Sequence, residues 1–339
     1  MSETAATGHP CPTLIGDIGG TNVRFQIVER DGNITVFDPV RTADFDSVEE
    51  AIAAAVLAKT DLRPRTAILA AAGPIKADGL DLTNAEWRIE AKHFLATGPW
   101  RELVLMNDFE AQALALPFLN DTDIEIIGPA SPVARCNKVA IGPGTGLGVG
   151  SLVFADGKWV AVAGEGGHVD LGPRSTREAA VWSHLETIEG RISAEKVLSG
   201  DGLENLYRAC CLACAMEPLL VDAADISRAA MESHDPAAKD ALSLFCICLG
   251  RVAGDLALTN MARGGVYIPG GIGRQILPFL RVSGFRSAFD DKAPHGGLMR
   301  SIATVVVTHP LPALLGLAGY ARAPSDFLID LDHRRWVKI

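Results

Sequence analysis

Apolar residues fall in short runs divided by glycine-rich turns, while longer runs follow helix-capping signals, so strands and helices alternate along the chain. Near the start, Leu14-Ile15 leads into Gly16-Asp-Ile-Gly-Gly-Thr21, and Phe25, Ile27 and Val28 resume the apolar run. That pattern predicts strand, tight turn, strand. Ser47-Val-Glu-Glu50 is a capping box and opens an alanine-rich helix predicted to reach residue 59. Residues 66–71 read as a buried strand ended by Gly73-Pro74, 82–87 as a loop, and 103–106 as another apolar strand. A helix over 109–116 stops at Pro117. Ser175-Thr-Arg-Glu178 is a second capping box, and Asp235-Pro236 opens a long helix to about residue 262. Apolar residues lie on most faces of that helix, which predicts burial. A short strand over 266–269, a helix from about Arg274, a strand over 302–307 and a closing helix over 312–321 complete the scheme. Such alternation predicts an α/β fold.

The first hairpin recurs. Asp31-Gly32 returns as Asp156-Gly157, and sliding the chain by that offset sets Leu14-Ile15 on Val139-Ala140, Gly19 on Gly144, and Thr21 on Gly146. Ile27-Val28 then falls on Leu152-Val153, and Gly142-Pro-Gly-Thr-Gly-Leu-Gly148 again lies between strand-like runs. Two phosphate-sized glycine turns on matching hairpins imply duplicated α/β halves. Gly19 and Gly20 let the backbone bend and approach a ligand with its amides toward an anion. Asp17, just before the bend, can hold a metal ion beside phosphate oxygens. A plain hairpin with an Asp-stabilised turn explains the first copy alone equally well. Only that copy carries the carboxylate, because Asp17 falls on Gly142. One nucleotide gripped between two loops, with its metal on one side, fits the asymmetry.

At 339 residues, with 48% hydrophobic and 21% charged, the chain suits two soluble domains or one large one. A net charge of −10 without a basic stripe argues against a nucleic-acid partner. Residues 1–12 show neither a basic n-region nor an apolar h-region, so no signal peptide is expected. Apolar runs elsewhere are broken by charge or glycine before reaching membrane-spanning length, so no membrane partner is expected. Seven cysteines make no secreted-type framework, and a reducing cytoplasm fits them. Cys210, Cys211 and Cys214 sit at helical spacing among Ala and Leu, which favours buried helical thiols over a metal cluster. A P-loop is excluded because no Gly-Lys-Ser/Thr follows any glycine loop. A dinucleotide fold needs a helix directly after the first glycine turn, where 23–28 reads as strand.

Asn107-Asp108 lies where the 103–106 strand meets a helix, the strand end at which α/β sheets collect ligand and catalytic groups. An ordinary Asp N-cap, with Glu110 in the first turn, accounts for the same residues, and both readings can hold. Gly164-Glu165-Gly166-Gly167-His168 follows the second hairpin. Its glycines suit a backbone bent around a small ligand and argue against a helix, and Glu165 and His168 can bond neighbouring hydroxyls. The alternative is a solvated surface loop. Glu195, in Ile192-Ser-Ala-Glu-Lys196, reads by itself as an exposed helix residue.

Taken together, six motifs are specific. Asp17-Ile-Gly-Gly-Thr21, Leu105-Met-Asn-Asp-Phe109, Gly144-Thr-Gly-Leu-Gly148, Gly164-Glu-Gly-Gly-His-Val-Asp170, Ser193-Ala-Glu-Lys-Val-Leu-Ser-Gly200 and Gly270-Gly-Ile272 occur in this order. The set resembles the bacterial glucokinase family of the sugar kinase, Hsp70 and actin superfamily, from about Thr13 to Arg322. The resemblance implies two ribonuclease-H-like α/β domains in the actin-like ATPase/sugar kinase fold, with a cleft between them. Residues 1–118 plus 309–339 are expected to form the smaller domain, and 119–308 a larger one with helical insertions.

The same resemblance implies ATP-dependent phosphorylation of glucose, feeding glycolysis. Asp108 is similar to the family's catalytic base, which accepts the proton of the sugar 6-hydroxyl. Asn107, Asp108, Glu165, His168 and Glu195 resemble its hexose-binding residues, with Asn84 of the Thr-Asn-x-x-Trp loop a further candidate. Gly16, Asp17, Ile18, Gly19, Gly20 and Thr21 resemble one phosphate loop, and Gly144, Thr145 and Gly146 with the following Leu147-Gly148 the other. Gly270 and Gly271 resemble the adenosine contact, and Asp17 the residue that acts through Mg²⁺, by way of water. A homodimer is expected by family alone. The related repressor/kinase group carries a Cys-rich zinc motif after its Glu-His loop, whereas Leu171-Gly-Pro-Arg-Ser-Thr176 follows here. No structural zinc is therefore expected, and a first strand at about Thr13 leaves no room for an N-terminal helix-turn-helix. Two rivals stay open: a kinase for fructose, mannose or an amino sugar, and a nucleotide-driven regulatory ATPase without hexose-stimulated turnover.

Overall fold

The computed structural model describes residues 9, 11–83, 85–232 and 234–338. Its chain divides into two compact units: residues up to Leu119 with Leu152–Ala163 and those from Pro310 onward, and Asn120–Ser151 with Gly164–His309.

In the first unit, strands Thr13–Ile18, Thr66–Ala71 and Glu102–Asn107 run parallel side by side. Asn22–Val28 pairs antiparallel with the first and Ile34–Val36 follows it outward, while Arg335–Val337 closes the opposite edge against Glu102–Asn107. Both faces of the sheet are covered, so the middle stretches of the parallel strands are apolar, with polar residues only toward their ends and successive residues going to opposite layers. Leu14, Leu69, Leu103 and Leu105 pack on one side with Phe25, Phe94, Trp87 and Trp100. Ile15, Ile68, Val104 and Met106 pack on the other with Leu114, Leu314 and Leu317. The helices on that second face, Asp108–Ala115 and Pro312–Arg322, meet backbone to backbone. A Cβ at Gly316 would lie 2.0 Å from the Ala111 carbonyl oxygen, so only glycine permits the approach.

The end of the chain locks this layer. Arg334 pairs with buried Glu110 at 2.7 Å, and Arg335 with Glu102 at 2.6 Å. Burial pushes the Glu110 carboxyl up, opposed by the Arg334 guanidinium and the Asn107 backbone N–H. Glu110 lies in the first turn of the helix that begins at Asp108, so the pair also fixes where that helix starts. Arg334→Ala is expected to cost about 3 kcal/mol by leaving a buried carboxylate uncompensated. Urea denaturation near neutral pH measures this, and a loss below about 1 kcal/mol would show that the pair is dispensable.

In the second unit, Lys138–Pro143, Val266–Ile268 and Thr304–Val307 are parallel, and Ile124–Ile127 runs antiparallel at the edge. The helix Pro236–Thr259 runs through the core of this unit. With a mean hydropathy of 1.7 it is long and apolar enough to cross a membrane, but 72% of the apolar window is buried within the protein. Asp235 caps it through the Ala237 and Ala238 amides, with Pro236 in the first turn.

The repeated hairpin holds its register. Thr13–Ile18 and Lys138–Pro143 start and stop at the same offset, as do the starts Asn22 and Leu147 of the following strands. Strand Leu147–Ala155 passes from the second unit into the first, and turns at Asp156-Gly157, both in the left-handed region, into Lys158–Gly164. Within the first unit, Trp159 and Val160 pair with Phe327 and Leu328.

Several local expectations are corrected. The helix after Ser47 is α-helical only over Val48–Ile52, then widens to a π-turn over Ala53–Leu57 and stops short of residue 59. The helix expected from Arg274 begins at Gly271, because Gly270 at φ 101° ends the strand segment abruptly. The closing helix is not the last element, since Phe327–Leu328 and Arg335–Val337 add strands beyond it. Cys210 and Cys211 are buried on the helix Gly200–Ala213, but Cys214 is its exposed C-cap.

Candidate active site

In the first unit, the three parallel strands end at one rim. Asp17 stands opposite Ala70, which stands opposite Met106, and Ile18, Ala71 and Asn107 form the next row. Asp17 and the Asn107-Asp108 pair therefore sit two strands apart at the carboxyl edge, about 10 Å between backbones at ordinary strand spacing. Their side chains bridge that gap electrostatically. Desolvation raises the Asp17 carboxyl, the nearby Arg24 guanidinium opposes that rise and the Asp108 carboxylate adds to it, for a net value of about 6.

The N-cap at this edge is Asn107, not Asp108. Asn107 Oδ1 accepts from the Phe109 amide at 2.9 Å and the Glu110 amide at 3.3 Å, and Asp108 is the first helical residue. Asn107 has the extended dihedrals of a cap, φ −69° and ψ 147°. Capping thus consumes the Asn107 oxygen and leaves Asp108 without that structural duty.

The first glycine loop is held from a distance. Gly19 donates to the Asn22 carbonyl at 3.0 Å, and the Thr42 hydroxyl donates to the Gly19 carbonyl at 2.8 Å. The Thr42 amide also bonds Thr21 O at 3.0 Å. Gly16 is buried, and a Cβ there would stand 2.7 Å from Leu69. Gly20 and Thr21 are exposed at the tip. Thr42 carries no sequence signal, because its role comes from a contact across the sheet edge.

In the second unit, the glycine turn 144–146 follows strand Lys138–Pro143, and Gly270-Gly271 follows the neighbouring parallel strand Val266–Ile268. A Cβ at Gly270 would lie 3.3 Å from the Pro143 carbonyl oxygen, so the two loops adjoin at one rim. Gly144 and Thr145 are exposed there.

The loop after Gly164 contains one 3-10 turn, Gly166–His168, rather than wholly irregular backbone. Glycine is demanded at 167, where a Cβ would fall 1.9 Å from the Leu147 carbonyl oxygen. His168 Nε2 lies 3.8 Å from Glu165 Oε2, both open to solvent. Arg191 braces the loop from outside, through Asp170 and the His168 carbonyl.

Glu195 is neither helical nor exposed. It occupies a turn ahead of the helix Gly200–Ala213 and is half-buried, with Oε2 accepting from the Leu147 amide at 2.9 Å. Its neighbours Ser199 and Gly200 were silent as isolated residues. Ser199 Oγ donates to the Glu195 carbonyl at 2.8 Å, and the Gly200 amide bonds Gly144 O at 2.9 Å. Asn84 lies outside the described residues. The first unit thus gathers Asp17, Asn107, Asp108 and one glycine loop at a rim. The second gathers Glu165, His168 and Glu195 around a glycine loop that adjoins Gly270-Gly271.

A family model described as Glucokinase matches residues 14–324. The glucokinase of Rhizobium johnstonii (strain DSM 114642 / LMG 32736 / 3841) is 52% identical over 328 residues, 96% of each chain. The crystal structure of a glucokinase from an Antarctic psychrotroph is 31% identical, with a TM-score of 0.80, and the match covers 91% of this chain and 97% of that one. A Balamuthia mandrillaris glucokinase solved with glucose is 25% identical at a TM-score of 0.75, covering 91% and 93%. Their folds extend the α/β likeness over nearly the whole length. This chain belongs to the glucokinase family.

Proposed function

We propose that the chain transfers the γ-phosphoryl group of ATP to the 6-hydroxyl of D-glucose, with Asp108 as general base. The observation that carries this reading is the position of Asp108. It is relieved of capping by Asn107, stands at the carboxyl edge of three parallel strands, and faces a second carboxylate in Asp17. Its carboxylate would orient the sugar hydroxyl and take its proton as the new O–P bond forms and ADP departs. Phosphoryl transfer asks the protein chiefly for alignment and charge neutralisation, and good alignment can remove roughly 7–11 kcal/mol of barrier.

Glu165, His168 and Glu195 would bond the sugar hydroxyls, joined by the Asn107 amide NH₂ and by Asn84. The turns 16–21 and 144–146 would carry the phosphates, and Gly270-Gly271 the adenosine. The donor set at Asp17 fits a magnesium ion, since its desolvated carboxylate and the Asp108 charge beside it are relieved by a cation. Among the described residues no three His, Cys, Asp or Glu side chains form a ligand cluster, so most ligands would come from phosphates and water. Bound Mg²⁺ supplies neutralisation of the phosphate charge. Assembly of the site only when sugar is bound would keep water from the γ-phosphate.

A coupled assay with Mg²⁺-ATP and glucose, beside a sugar-free control and a panel of other hexoses, tests the proposal. Glucose-dependent ADP release is expected, and equal release without sugar would overturn it. Glu165→Gln should raise KM for glucose at least about tenfold, the scale of one charged hydrogen bond lost, with kcat falling less. An unchanged KM would remove this loop from the sugar site.

A further inference from the structure

Glu195 touches two loops at once. Its side chain accepts the Leu147 N–H at the base of the second glycine turn. Its backbone N–H donates to the Gly167 carbonyl at 2.9 Å, inside the Glu165–His168 loop. Gly167 in turn presses on the Leu147 carbonyl too closely for any Cβ. Leu147, Gly167 and Glu195 thus form a closed ring of contacts. Flanking bonds tie the ring on both sides: the Ala194 amide to Val169 O at 2.8 Å, and the Gly200 amide to Gly144 O at 2.9 Å. Helix Gly200–Ala213, capped by Ser199, anchors the turn behind it.

From this geometry we infer that Glu195 has a positioning role beyond contact with sugar. It couples occupancy of the hexose loop to the shape of the 144–147 phosphate loop. The inference rests on the kinase reading above. A carboxylate has two oxygens, and the one that holds Leu147 leaves the other for a ligand hydroxyl. A sugar bonded to that second oxygen restrains the carboxylate and, through it, the amide that closes the glycine turn. The loop is then ordered for triphosphate mainly when sugar is present. A ligand-specific bias of this kind is a coupling free energy and acts in both directions. It also limits wasteful transfer to water.

The geometry supplies a second way to break the link. A Cβ at Gly146 would stand 2.5 Å from Glu195 Oε2, so Gly146→Ala pushes the carboxylate off Leu147 while keeping the acid.

Calorimetric titration of Mg²⁺-AMP-PNP, with and without saturating glucose, measures the coupling. In the wild type, glucose should tighten nucleotide binding at least about fivefold, the lower end of ordinary coupling. In both Glu195→Ala and Gly146→Ala the factor should fall below about twofold, whereas Glu195→Gln, whose amide oxygen can still accept from Leu147, should keep most of it. Glu195→Ala should also weaken glucose binding, and Gly146→Ala much less. A residue that only contacts sugar would leave the factor intact at saturating glucose, and that result would overturn the proposal. So would absence of coupling in the wild type. If the wild type bound no glucose at all, the kinase reading would fail first and the coupling with it. Should Glu195→Ala not fold by circular dichroism, the Gly146→Ala and Glu195→Gln pair decides.

Discussion

Asp108→Ala is expected to lower kcat at least about a hundredfold, the scale of a lost general base, while KM for glucose moves less than about tenfold. Loss of the carboxylate leaves the helix start intact, because Asn107 provides the cap and Glu110 with Arg334 holds the first turn. Thermal melts separate any stability loss from a catalytic one, and those of variant and wild type should agree within a few degrees, corresponding to about 1 kcal/mol. A second readout follows from the neighbouring carboxylate. Asp108 is one of the groups that push the Asp17 carboxyl up, so removing it should let that group titrate lower. Near-normal turnover in Asp108→Ala would end its assignment as base.

The parts of the site that local chemistry writes were legible in the sequence. Strand Thr66–Ala71 is apolar from Ala67 onward because both faces of its sheet are covered, and the paired hairpins keep one offset because their first strands and turns have the same lengths. What escaped depends on distance or on a single dihedral angle. Asn107 and Asp108 are both good caps, and the backbone chose the first. Glu195 looks like a surface helix residue within its own pentapeptide, and its half-buried place is set by Leu147, far upstream. Thr42 holds the first glycine loop by contacts that no neighbouring residue announces. Strand Arg335–Val337 is too short to declare itself, yet its Arg335 and the preceding Arg334 neutralise two buried glutamates. Grouping of Leu152–Ala163 with the first unit likewise comes from pairing of Trp159 with Phe327, not from a break in composition.

Asp17→Asn should separate function from stability in opposite directions. The folded protein holds the Asp17 proton to about 6, against 3.8 for the free group. Between those values the folded state binds more protons than the unfolded chain, so this group's contribution to stability falls as pH rises from about 4 to about 6 and stays low above. Keeping a carboxyl proton to a pH about two higher than in the unfolded chain corresponds to about 2–3 kcal/mol. An uncharged amide escapes that cost. Without nucleotide, the Asp17→Asn variant should accordingly be more stable than wild type by about 2 kcal/mol at pH 8, with little difference at pH 4. The comparison cancels the titrating groups that do not feel the Asp17 charge, which the two proteins share. Turnover should move the other way and fall at least about a hundredfold, the scale of one lost charge-stabilising group, because the amide no longer favours a cation beside the phosphates. Mg²⁺-ADP should then protect wild type from urea more than it protects the variant, since only the wild type gains by having its carboxylate neutralised. If the variant were no more stable at pH 8 than at pH 4 relative to wild type, the carboxylate would not be under electrostatic strain, and the argument for a cation at this rim would lose its physical basis.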